Sequence, residues 1–179
     1  MFDWLVNDEG EVLIDDNGNS LVTEYTQLLQ TLINNIIGFL SVSSLDASFI
    51  AKVLKRLETF GYEFKEGTND DWLIAFAINK VESHIKTVTN RTDIDENLIG
   101  IAVDRVCGEF LFTKKQTGQL TELSLDLDGA VKTVQIGDTN VTFAVGEGES
   151  TGEQKLEALI AYLVNKGEGD LLCYRKISW

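Results

Sequence analysis

The sequence holds one histidine, His84, and any chemistry that needs an imidazole runs through it. It sits between Glu82 and Lys86 in a helix-patterned run, with no patterned cysteine or aspartate beside it. Metal sites group their ligands at short spacings, and none are grouped here. A Ser-His-Asp or Cys-His site would need the same imidazole, and no GxSxG or comparable motif points to it. His84 therefore reads as a surface or packing residue. Asp126, Asp128 and Gly129 match a fragment of a calcium loop. Counted from Ser124, the twelfth position is Gln135, where a bidentate glutamate is required, so the run reads as a turn. Asp15, Asp16, Asn17 and Gly18 do not align with that pattern either. Gly146, Gly148 and Gly152 precede a helical pattern, as in a phosphate cradle. Yet Glu147, Glu149 and Glu153 surround them with negative charge, and no lysine follows in place. That loop reads as a hinge. The sequons at Asn90 and Asn140 lack a secretory signal and carry no weight. The expectation is a protein without catalytic apparatus, metal or cofactor.

Composition narrows the class. The chain has 179 residues, 44% of them apolar, enough to bury a core without disulfides or metals. Proline is absent, which suits a helix-rich chain. Cys107 and Cys173 stand in no CxxC and make no disulfide framework; both are expected as buried or half-buried thiols in a reducing compartment. The opening run MFDWLVNDEGEV has no basic region and no long apolar stretch, so it does not read as a signal peptide. The apolar stretch Leu28 to Leu40 is broken by Gln30, Thr31, Asn34 and Asn35, so no membrane span is expected. The net charge of −14 repels nucleic acid, and the densest basic groups are only Lys52, Lys55 and Arg56, then Lys114 and Lys115. Such acidity can also line a passage through which a polyanion slides without sticking.

The elements that must position anything functional are mostly helical. A first hairpin is expected around Asn17-Gly18. Tyr25, Leu28, Leu29, Leu32, Ile33, Ile36, Ile37 and Leu40 then form an amphipathic stripe. Ser43 with Asp46 is the expected cap of the next helix, which is striped by Phe49, Ile50, Val53, Leu54 and Leu57 and stopped by Gly61. The polar run Glu63 to Asn69 is a candidate boundary. Thr68 with Asp71 caps a third helix with Ile74, Ala77, Ile78, Val81, Ile85 and Val88 inward. Asp93 with Glu96 caps a fourth, which carries Leu98, Ile99, Ala102, Val103, Val106, Cys107, Phe110 and Leu111. A second hairpin spans Val131 to Val145, turning at Gly137-Asp138-Thr139-Asn140. Ser150 with Glu153 caps a last helix, striped by Leu156, Leu159, Ile160, Leu163 and Val164 and ended by Gly167 and Gly169.

The final run LLCYRKISW reads as too short for a core element, yet it is apolar, aromatic and basic, as interface anchors are. The plainer alternative is that it folds back as an edge strand.

From Thr68 to Trp179 the sequence resembles the head–tail connector (adaptor) proteins of tailed bacteriophages. The features are the paired helices DDWLIAFAINKVESHIKTVTN and DENLIGIAVDRVCGEFLFTKK, the hairpin VKTVQIGDTNVTFAV, the helix STGEQKLEALIAYLVNKG and the ending YRKISW. The fold class expected is mainly α (α+β): a helical bundle with an inserted β-hairpin and an extended C-terminal tail. The resemblance divides the chain into an N-terminal extension (1–67), a connector core (68–170) and a docking tail (171–179). It implies a ring of about twelve copies beneath the portal, with the tail on the portal protein and a further neck or tail-completion protein on the far face. Packaged DNA would pass through the channel unbound, and the protein would live in the virion neck after assembly in the host cytoplasm. Leu171, Leu172, Tyr174, Arg175, Lys176, Ile177 and Trp179 become portal contacts, and Val134, Ile136, Asp138, Asn140, Val141 and Phe143 an inter-subunit hairpin. Residues Met1 to Gly67 fall outside the resemblance and read either as a small extra domain or as extra layers on one bundle. The rival readings are an acidic DNA mimic that blocks a nucleic-acid-binding host protein, an enzyme, which would need clustered titratable residues in a pocket and is opposed by the single histidine without a motif, and a cytoplasmic helical interaction module.

Overall fold

The computed structural model describes residues 24–40, 43–120, 125 and 152–176. Both expected hairpins lie outside these residues. Within them the chain is mainly helical. The helices are α1 (Glu24–Phe39), α2 (Ala47–Thr59), α3 (Asp70–Thr89), α4 (Ile99–Gln116), α5 (Gly152–Val164) and α6 (Glu168–Cys173), with a 3-10 turn at Glu96–Leu98 before α4.

The stripes dictate the packing. Every expected inner residue of α2 is buried, and so are Ile74, Ala77, Ile78, Val81 and Ile85 on α3. On α1 the buried positions are Leu32, Ile33 and Ile36, whereas Tyr25 and Ile37 face outward. Helix α4 lies at the centre and packs against α2, α3 and α5. Residues of α1 and α2 share one continuous core with α3, α4 and α5, so Glu63 to Asn69 is a turn within one bundle and the first two helices are extra layers on it.

The helix starts differ from the expected caps, each for a local reason. Asp46 itself caps α2, accepting from the Phe49 N–H at 2.9 Å. Ser43 instead donates to Glu82. Asn69 precedes α3 without a side-chain cap, and the Thr68 hydroxyl turns back to the Lys65 carbonyl. There Asp70 and Asp71 supply negative charge to the helix N-terminus instead. Asp95 caps the 3-10 turn, accepting from the Asn97 N–H, and Asp93 instead accepts from the Thr92 hydroxyl. Gly61 stops α2 as expected, at φ +84°, and α3 ends on Asn90 at φ +51°, a stop not expected from the sequence. Cys107 is fully buried, as expected, and burial pushes its thiol pKa up; Cys173 is exposed, contrary to expectation. Among the described residues no helix is long and apolar enough to cross a membrane.

Two details tie the layers together. Gly108 is where α4 meets α5: a Cβ there would lie 2.7 Å from the Val164 nitrogen and 2.8 Å from the Leu163 Cβ. Glu82 on α3 gathers the turn before α2. It accepts from the Ser43 hydroxyl at 2.7 Å, from the Ser44 N–H at 3.0 Å and hydroxyl at 2.7 Å, and it pairs with Lys86 at 2.7 Å. Burial raises its pKa, but Lys86 and the serine donors outweigh that and hold the carboxyl at about 2, against an ordinary value of 4.5.

Gly108→Ala should therefore destabilise the protein by about 1–3 kcal/mol, through overpacking. At an open helix position the same change gains roughly 0.5–1 kcal/mol, so the sign alone is decisive in urea unfolding. Glu82 makes a pH prediction. A carboxyl held low in the folded state adds stability above its ordinary pKa and loses it as pH falls through the folded value. Stability should decline between pH 4.5 and about 2. Glu82→Gln should flatten that decline; parallel acid limbs in the two proteins would show that the network is uncoupled from folding.

Candidate partner-binding strap

Only Gly167 ends α5. It takes φ +64°, and a Cβ there would meet the Ile101 side chain at 2.5 Å. Gly169 lies inside α6. As far as Lys176, the run after Gly167 is thus neither a free tail nor an edge strand: a short helix lies back on α3.

Its inner side belongs to the core. Leu171 is fully buried and Tyr174 packs against the core cluster. The backbone is tied at three points beyond α3. The Lys176 N–H donates to the Thr89 carbonyl at 2.7 Å, Asn90 Nδ2 donates to the Lys176 carbonyl at 2.9 Å, and Arg91 Nε donates to the Tyr174 carbonyl at 2.9 Å. Arg105, buried on α4, donates to the Lys166 carbonyl at 2.7 Å and pairs with Glu168. The Arg105 guanidinium, helped by His84, holds the Glu168 carboxyl below its usual range. His84 Nε2 lies 3.4 Å from Glu168, so the lone histidine is a partly exposed strap contact.

The outer side is different. Leu172 is 60% exposed. Arg175 and Lys176 are exposed, and neither side chain pairs with a carboxylate among the described residues. Of the expected portal contacts, the structure thus places Leu171 and Tyr174 inward and Leu172, Arg175 and Lys176 outward. Ile177 and Trp179 lie outside the described residues, as do Val134, Ile136, Asp138, Asn140, Val141 and Phe143.

The opposite end of the bundle carries a second buried charge. Lys114, read from sequence as part of a basic group, is buried and pairs with the buried Asp70. Its ammonium also donates to Gln119 at 2.9 Å, and the Tyr62 hydroxyl donates to Asp70 at 3.0 Å. Burial and the adjacent Asp70 push the Tyr62 pKa up. The described chain passes Leu120 here and returns at Gly152, where Lys115 on α4 meets Glu157 on α5 at 2.6 Å. The strap lies by Ile101 and Thr89, at the other end of α3 and α4. A helix of 20 residues such as α3 separates those ends by about 30 Å.

Sequence reasoning also passed over an aromatic ladder. Phe39 stacks on Trp72 with centroids 3.8 Å apart, and Trp72 on Phe76 at 5.9 Å. Trp72 and Phe76 remain 49% and 63% exposed. Their signal was available: they lie four apart on α3, off its inner stripe. Among the described residues, no group of three His, Cys, Asp or Glu side chains could hold a metal.

Breaking the Asp70–Lys114 pair strands a charge in the interior. Asp70→Asn and Lys114→Met should each cost about 3–5 kcal/mol in urea unfolding. The double change Asp70→Leu with Lys114→Met should cost far less than their sum. Small additive losses would mean that water reaches the pair. Comparisons of the chain with protein-family models, with characterised proteins and with solved structures gave no match.

Proposed function

We propose that this chain is a structural head–tail connector of a tailed phage or a phage-derived particle. Copies form a ring of about twelve around the DNA channel, matching the portal above. The full subunit is a helical bundle with a β-hairpin inserted near residues 131–145. The hairpin meets a neighbouring copy or the next neck protein, and the strap end meets the portal. The protein acts by shape and charge and catalyses nothing. It resides in the virion neck after assembly in the host cytoplasm.

The observation that carries this reading is the two-ended layout. The inserted segment 121–151 is attached where α4 ends and α5 begins, and the strap lies at the opposite end of the same helices. A protein that bridges two partners needs docking elements at both ends of a rigid body. The charge of −14 supports it: DNA is repelled from an acidic wall, so a channel of such subunits passes it without holding it. The rival reading as an acidic DNA mimic uses the same charge but leaves the two-ended layout without a purpose.

The test is a titration of purified portal rings, from the genome that encodes this chain, followed by native mass spectrometry. Saturation at about twelve copies per ring is expected, as symmetric docking requires. Portal rings that stay bare while a basic, nucleic-acid-binding protein captures the chain would reverse the ranking of the two readings.

A further inference from the structure

The outer and inner faces of the strap divide its labour. We infer that residues 168–176 stay folded on the bundle when a partner binds, and that the partner meets the strap's outer face: Leu172 flanked by Arg175 and Lys176. The partner surface this fits is a protein recess, apolar at its floor and acidic at its rim. The partner half of this inference rests on the connector reading; the fixed strap does not.

Release of the strap is opposed at several independent points. It would return the fully buried Leu171 to water. It would take Glu168 away from Arg105, a guanidinium only 5% exposed, and a buried charge without its partner is strongly unfavourable. It would also break the bonds from Lys176, Asn90 and Arg91 that join the strap to the end of α3. None of these restraints touches Leu172 or the side-chain charges of Arg175 and Lys176. Most other cations among the described residues have a carboxylate within reach, as Lys80 has Glu109 and Lys115 has Glu157. On a chain of net charge −14, two adjacent cations with no carboxylate partner among the described residues, beside an exposed leucine, are a directional feature. Polar groups rim an interface around its apolar contacts, and two like charges there select a partner rim of the opposite sign.

Truncation after Asp170 removes Leu171 from the core, so any loss of binding is mixed with loss of stability. Truncation after Lys176 leaves the strap whole.

Hydrogen exchange by mass spectrometry, on the full chain alone and with purified portal rings, tests the inference. Amides of 168–176 should be protected in both states. In the same chain, Leu172→Ser, or Arg175→Glu with Lys176→Glu, should keep the thermal midpoint and weaken portal binding roughly tenfold or more, as loss of an anchor does. Leu171→Ala should lower the midpoint. Exchange that speeds up at 168–176 on binding overturns the fixed strap, and so does a lack of protection in the free chain. Outer-face variants that bind the portal like wild type overturn the docking face. If the wild-type chain ignores the portal, the connector reading and the docking face fall together, while the free-chain exchange still decides whether the strap is fixed.

Discussion

Burial of two cations on one central helix is the constraint on which the rest of the bundle depends. Arg105 and Lys114 both lie on α4, with 4% and 3% of their surfaces exposed. Nine positions apart, they are separated by about 14 Å along the axis. Each needs a carboxylate brought to it, because an unpaired charge in an apolar interior is too costly to keep. Arg105 draws in Glu168 and, with it, the strap. Lys114 draws in Asp70 and so decides where α3 begins.

The choice between helix caps follows from that demand. Asp70 is the first residue of α3, yet its carboxylate points into the core, toward Lys114 and Tyr62. The cap box expected from Thr68 and Asp71 is thereby displaced. Tyr62 closes the site from the side and packs edge-on against both Phe64 and Phe110 at 5.1 Å. Both members of the pair are buried, which strengthens it and makes its disruption costly.

The surface divides on the same axis. At one end of α4, core and strap interlock; at the other, the chain leaves toward the inserted segment. Near the latter end, the ladder of Phe39, Trp72 and Phe76 lies along the junction of α1 and α3. Stacking hides part of each ring, which is how Trp72 and Phe76 remain at an otherwise acidic surface while Phe39 packs against the core.

The sequence by itself determined the helices. Periodic stripes at Phe49 to Leu57, Ile74 to Ile85 and Leu156 to Leu163 predict which faces are buried, because a helix can hide only one side in a partner. Gly61 and Gly167 were legible as stops, since each needs a positive φ. What only the tertiary structure decided are the long-range pairings. Asp70 and Lys114 look like ordinary surface charges in a linear reading, as do Arg105 and Glu168. The short run after Gly167 looked too brief to fold, because a six-residue helix is unstable alone. It forms because α3 and α4 present a gap for Leu171 and a buried guanidinium for Glu168. Contacts across 63 residues leave no local trace in sequence, so the sorting of Leu171 inward and Leu172 outward belongs to the fold.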